Sequence, residues 1–85
     1  MQIELTNDAQ EHLLFWRKTS NKAILQKIEK LTVAIIENPF EGIGKPEPLK
    51  YDLTGKWSRR INQEHRYVYA VENNILCIFS LKGHY

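Results

Sequence analysis

Eighty-five residues, 42% of them hydrophobic, 11% aromatic and 26% charged, supply one thin core and exclude a wholly disordered chain. A chain of this size hides only about 60–65% of the surface that its unfolded form exposes, too little for a second domain, so residues 1–85 are read as one. The net charge of +2 is unevenly spread: residues 1–43 carry five Lys/Arg against six Asp/Glu, residues 44–67 six against three, and residues 68–85 one of each.

The chain opens without a basic-then-apolar leader, and no apolar run approaches the roughly 20 residues that span a bilayer. This points to a protein neither secreted nor membrane-inserted. Gln2-Ile3-Glu4-Leu5 alternates as a short strand does. Asn7-Asp8-Ala9-Gln10 resembles a capping box with Asn7 as N-cap. Ala9, Leu13 and Trp16 then share one helical face, predicting a first helix to about Lys18. After Thr19-Ser20-Asn21, which offers another cap, Ile24, Ile28, Leu31 and Ile35 mark the core stripe of a longer helix, widened by Leu25 and Ile36. Asn38-Pro39 ends it, because the residue before a proline is pushed out of the helical region.

From Pro39 to Pro48 three prolines and two glycines predict a long irregular loop, a common seat of function. Strands follow at Lys56–Asn62, Arg66–Val71 and Ile75–Lys82. Asn73-Asn74 suits the positive φ of a tight hairpin turn between the last two. The apolar run Ile75–Phe79 reads as an interior strand, with the lone cysteine, Cys77, as a buried core thiol that forms no disulfide. The order β-α-α-loop-β-β-β predicts an α+β domain, two N-terminal helices packed on a mostly antiparallel sheet of four to five strands.

Most ionisable groups have a structural explanation. Glu29, Glu37 and the lysines of the second helix form its solvated face, and His12 and His65 are lone histidines without metal-ligand spacing. No Cys/His cluster, phosphate-binding glycine loop or Ser-His-Asp set is present, so neither a metal nor a cofactor is expected. What remains is Glu47 between two prolines, Lys45, Lys50, the pair Arg59-Arg60, Arg66, and the final His84-Tyr85. Individually, Glu47 is a surface carboxylate and His84 sits where chains usually fray. Together they match a demand: RNA cleavage through its own 2′-hydroxyl needs a base, an acid and cationic donors for the phosphate. A tyrosine suits stacking on an unpaired base.

Three segments carry a resemblance. They are Asn38-Pro39-Phe40-Glu41-Gly42-Ile43-Gly44-Lys45-Pro46-Glu47-Pro48-Leu49-Lys50, then Leu53-Thr54-Gly55-Lys56-Trp57-Ser58-Arg59-Arg60-Ile61, then Glu64-His65-Arg66-Tyr67-Val68-Tyr69-Ala70-Val71, closed by His84-Tyr85. In this order they resemble the YoeB family within the RelE/ParE toxin superfamily. The chain departs from the family pattern at Tyr67, where leucine is commoner, and at Leu81-Lys82-Gly83.

The resemblance implies a RelE-like fold and the toxin of a type II toxin–antitoxin pair, a metal-independent endoribonuclease that cuts messenger RNA in the ribosomal A site. It implies Glu47 as general base, His84 as general acid, Arg66 on the transition-state phosphate and Tyr85 orienting the nucleotide. Lys50 and Arg60 would add positive charge, as would Arg59 more weakly. The implied products are a 2′,3′-cyclic phosphate (or 3′-phosphate) and a 5′-hydroxyl. The α-carboxylate of Tyr85, beside His84, would favour the imidazolium that a general acid requires. The implied partners are a cognate YefM-like antitoxin, the 70S ribosome with its message and a second copy of the chain, all in the cytoplasm and away from membranes. The competing readings are a non-catalytic ribosome- or RNA-binding module and a topoisomerase-inhibiting member of the same superfold.

Overall fold

A computed structural model describes residues 1–83; His84 and Tyr85 lie outside the described residues. Its elements run β1 (Gln2–Leu5), α1 (Asn7–Lys18), α2 (Lys22–Glu37), β2 (Glu47–Pro48), a 3₁₀ turn (Tyr51–Leu53), β3 (Trp57–Arg60), β4 (Arg66–Glu72) and β5 (Ile75–Ser80). The strands form one five-stranded sheet in the order β1-β5-β4-β3-β2. Among the described residues only β1 runs parallel to its neighbour, β5; the other pairs are antiparallel.

Local chemistry sets the helix ends. The cap of α1 is Thr6, one residue before the expected Asn7: its hydroxyl accepts from the Ala9 N–H at 3.2 Å and donates to the Phe79 carbonyl. Thr6 wins because one oxygen ties both the first turn and the neighbouring strand. Asn21 caps α2 by accepting from the Ile24 N–H at 3.2 Å, and the helix stops at Glu37 before Asn38-Pro39. The stripe Ile24, Ile28, Leu31 and Ile35 is buried as expected, and Leu25 packs on its margin. Ile36, expected to widen the stripe, instead faces solvent at 39% exposure. Each fully buried aliphatic side chain of this kind contributes about 1.5–3 kcal/mol.

The segment expected to be all loop contains the fifth strand. Glu47 and Pro48 pair with Ser58 and Trp57, and the Leu49 N–H continues the ladder to the Lys56 carbonyl at 2.9 Å. Prolines have no N–H to donate, so a strand holding them sits at a sheet edge. β3 is shorter than expected at both ends, β4 runs one residue further, to Glu72, and β5 stops two residues earlier, at Ser80; Asn73 and Asn74 take φ of 53° and 61° in the β4–β5 turn.

Side chains alternate across the sheet. Tyr67, Tyr69, Leu76 and Ile78 join the helices in the core, with Trp57 at its margin. Cys77, expected in that core, is only half-buried; its strand neighbours Leu76 and Ile78 take the inner face, and Cys77 turns to the outer one. Tyr67, the departure from the pattern noted in the sequence, is accommodated in the core. Its ring is fully buried and its hydroxyl bonds the Thr32 hydroxyl at 2.7 Å. Burial pushes its pKa up to about 12.

Candidate active site

The outer face of the sheet, away from the helices, carries three of the sequence-predicted groups, Glu47, Arg60 and Arg66. Glu47 lies opposite Ser58, and Ser58 opposite Val68, in one row across β2, β3 and β4. One step along, Arg60 lies opposite Arg66. By alternation these residues share a face. Two strand spacings and one two-residue step put the Glu47 and Arg66 backbones about 12 Å apart. Glu47 itself is exposed. The flanking prolines hold its backbone, and pairing with Ser58 fixes which face it presents.

Arg60 and Arg66 face each other across an antiparallel pair, about 5 Å between Cα atoms, an arrangement of like charges that costs stability unless an anion lies between them. Both line a cleft of about 480 Å³ together with Lys27, Gly44, Lys45, Ile61, Asn62 and Gln63. Among the described residues, four cations and no carboxylate border it. Lys27, on α2, was assigned to a solvated helix face by sequence; no spacing links it to residues 60–66, and only the packing of α2 beside the 61–65 turn brings it in. Arg66 is half-buried, and its Nη1 donates to the carbonyls of Asn62, Gln63 and His65 at 3.0–3.4 Å. Lys50 is exposed at the start of the 3₁₀ turn, three residues past Glu47 on the same sheet edge.

Arg59 does not belong to this surface. It is 0% exposed, which corrects its expected role in RNA binding. Its Nε donates to the Tyr69 hydroxyl at 3.1 Å, Nη1 to the Ile43 carbonyl at 3.2 Å, and Nη2 to the carbonyls of Asn38 and Glu41 at 2.6 and 3.0 Å. The Tyr69 hydroxyl in turn donates to the Pro39 carbonyl at 2.6 Å. The guanidinium is a post around which residues 38–44 wind. Gly44 is required there: at φ +83° a Cβ would stand 2.8 Å from Leu31 Cδ2 and 3.1 Å from Arg59 Cβ. Its carbonyl accepts from the Arg60 N–H, so the loop reaches Glu47 from a fixed point.

His84 and Tyr85, the expected general acid and nucleotide-orienting residue, lie outside the described residues, but the segment leading to them is tied down. The Leu81 N–H donates to His12 Nδ1 at 3.1 Å and the Leu81 carbonyl accepts from Trp16 Nε1 at 2.9 Å. The Gly83 N–H donates to His65 Nδ1 at 2.8 Å, and its carbonyl accepts from the Arg66 N–H at 2.7 Å. His12 and His65, passed over as lone histidines, are therefore hydrogen-bond acceptors for this segment. Burial lowers the His12 pKa, with Lys82 acting in the same direction and Asp8 and Glu11 opposing. The folded state thus prefers the neutral ring. Its contribution is fully present above the unfolded value near 6.5 and is lost as pH falls through the lowered folded value. The melting temperature is expected to decline on acidification below pH 6.5, and His12→Asn, with a non-titrating acceptor, is expected to flatten that part of the profile.

Among the described residues no three His, Cys, Asp or Glu side chains gather as a metal-binding group, and no helix is long and apolar enough to cross a membrane.

Residues 5–85 match the family model for the YoeB-like toxin of bacterial type II toxin–antitoxin systems. A relative, toxin YoeB of Synechocystis, is 50% identical over 74 residues, 87% of this chain and 86% of its own. Among solved structures, a YoeB/ParE toxin from Agrobacterium tumefaciens superposes with a TM-score of 0.95 at 39% identity, covering both chains fully. A YoeB–YefM complex from Staphylococcus aureus gives 0.91 at 45% identity, and a YoeB dimer from the same organism 0.92 at 44%; both cover all of this chain and 98% of the other.

Proposed function

This chain belongs to the YoeB-like toxin family of bacterial type II toxin–antitoxin systems, and from that premise we propose that it is a ribosome-dependent, metal-independent endoribonuclease that cuts messenger RNA in the A site. The observation that carries the reading is the placement of Glu47 on one sheet face with the opposed pair Arg60 and Arg66. A carboxylate beside a cleft lined by four cations is what a phosphodiester with an adjacent 2′-hydroxyl fits.

In this mechanism the Glu47 carboxylate takes the 2′-hydroxyl proton. The 2′-oxygen attacks phosphorus, forming the 2′,3′-cyclic phosphate, while the bond to the 5′-oxygen breaks. His84 gives its proton to that oxygen, releasing a 5′-hydroxyl end. The Arg66 guanidinium, anchored through Nη1, turns its remaining donors to the phosphate oxygens as negative charge accumulates. Tyr85 orients the nucleotide by stacking. Lys27, Lys45, Lys50 and Arg60 hold flanking phosphates, which makes binding salt-dependent. A YefM-like antitoxin with an acidic, flexible segment is the proposed inhibitor, anchored electrostatically on this basic surface. Homodimerisation and a cytoplasmic site of action complete the reading. The staphylococcal complex and dimer support the partners by likeness.

The test is cell-free translation with the purified protein, mapping cuts by primer extension, with and without EDTA. Cuts at A-site positions that persist in EDTA are the expected result. Arrest of translation without cuts would replace the nuclease with a ribosome-binding module.

A further inference from the structure

The last described turn of the chain is held more firmly than a terminus ordinarily is. Chain ends fray unless tied down, yet here four hydrogen bonds fall on Leu81 and Gly83, from His12, Trp16, His65 and the Arg66 backbone. The Leu81 side chain is 1% exposed. Past Ser80 the Arg66 N–H still bonds the Gly83 carbonyl, so β4 guides the chain after β5 has ended. The shortest side-chain tie is the 2.8 Å bond from the Gly83 N–H to His65 Nδ1.

His65 is itself fixed. Its ring meets the buried Trp16 edge-on, centroids 4.8 Å apart at 72°, and Trp16 is in turn bonded to the Leu81 carbonyl. Accepting at Nδ1 leaves the ring proton on Nε2. His65 also immediately precedes Arg66, so one short stretch of backbone sets both the arginine and the exit of the tail. Gly83 has φ +77° with open space where a Cβ would stand, so the direction of the chain here is set by this backbone turn and its bonds, not by packing.

We propose that His65 is a positioning residue: braced on Trp16, it holds the Gly83 amide and so fixes the direction in which the chain leaves the sheet toward His84 and Tyr85. The inference deepens the nuclease reading and rests on it. His65 touches no reacting atom; its effect passes through Gly83.

Two substitutions separate the acceptor from the ring. His65→Asn places Oδ1 near the position of Nδ1 and keeps an acceptor but loses the contact with Trp16. His65→Phe keeps the edge contact and loses the acceptor. In the ribosome-dependent cleavage assay, with programmed ribosomes as substrate, His65→Phe is expected to lower kcat by about 10²-fold, the effect of an ångström-scale misplacement, with KM unchanged. His65→Asn is expected to restore most of that loss. Hydrogen exchange at the Gly83 amide, read by NMR without RNA, is expected to be slow in the wild type and His65→Asn and fast in His65→Phe. Equal losses of kcat in both variants would show that restoring the acceptor does not restore activity and would overturn the proposal. So would a fully active His65→Phe, or one in which the Gly83 amide stays protected. If the wild type makes no cuts, the nuclease reading falls separately, and the exchange data still decide whether His65 holds Gly83.

Discussion

Glu47→Gln is expected to lower messenger cleavage by about 10²–10⁴-fold, the usual contribution of a positioned proton acceptor, without changing the melting temperature. The substitution keeps shape and hydrogen-bonding capacity and removes only basicity. Stability is spared because Glu47 is exposed on a two-residue edge strand, where substitutions usually stay within about 0.5 kcal/mol. Arg66 gives a less clean comparison, since its Nη1 also braces the 62–65 turn and its loss would disturb structure and chemistry together. The control is Arg60→Glu, which is expected to weaken ribosome or RNA binding and its salt dependence while Glu47 remains in place. A Glu47→Gln protein that cuts at the wild-type rate would remove Glu47 as the base. Charge reversal at Arg60 that abolished the effect while Glu47→Gln kept it would favour the binding-module reading.

Both helices and the strands β1, β3, β4 and β5 were legible in the sequence because their residues repeat a helical or a strand period, and the β4–β5 turn because Asn73-Asn74 tolerates positive φ. β2 was not: two residues, one of them a proline, carry no period, and their pairing depends on Ser58 and Trp57, eleven and nine residues away along the chain. Cys77 was misplaced because a continuously apolar run hides which alternate residues face inward; the helices choose Leu76 and Ile78. His12 and His65 acquired their roles only through a segment some 70 and 18 residues distant, which no local spacing encodes. The site could be assembled from motifs, but Lys27 entered it through helix packing alone.

Arg59 and Arg60 carry a subtler lesson. Read as a pair they were two cations for phosphate. On a strand, however, neighbours point to opposite faces, and Arg59 falls at period two between Trp57 and Ile61, both apolar. That alternation was available in the sequence and assigns Arg59 to the inner face. Arg60 pairs with Arg66 on the outer one. A buried guanidinium then needs oxygens, and the loop of residues 38–44 supplies backbone carbonyls, which leave no trace in side-chain identity.

The consequence is a second large effect, on stability. Arg59→Ala is expected to cost about 3 kcal/mol, since bonds from a charged donor are worth about 1.5–3 kcal/mol each and their loss leaves buried acceptors unmatched. For a domain of this size that is a large fraction of a total of about 5–15 kcal/mol. Arg59→Lys is expected to rescue little, because one ammonium cannot reproduce a planar fork that reaches the Tyr69 hydroxyl and the carbonyls of Asn38, Glu41 and Ile43. Urea unfolding of the three proteins measures this directly. An Arg59→Lys protein as stable as the wild type would show that charge alone suffices and that the fork is not what winds the loop. If the fork is required, cleavage by the folded fraction of Arg59→Lys should also fall, because the chain between Gly44 and Glu47 would no longer start from a fixed point. The residue that sequence placed against the RNA would then act on it from inside the core, through the direction it gives to the base.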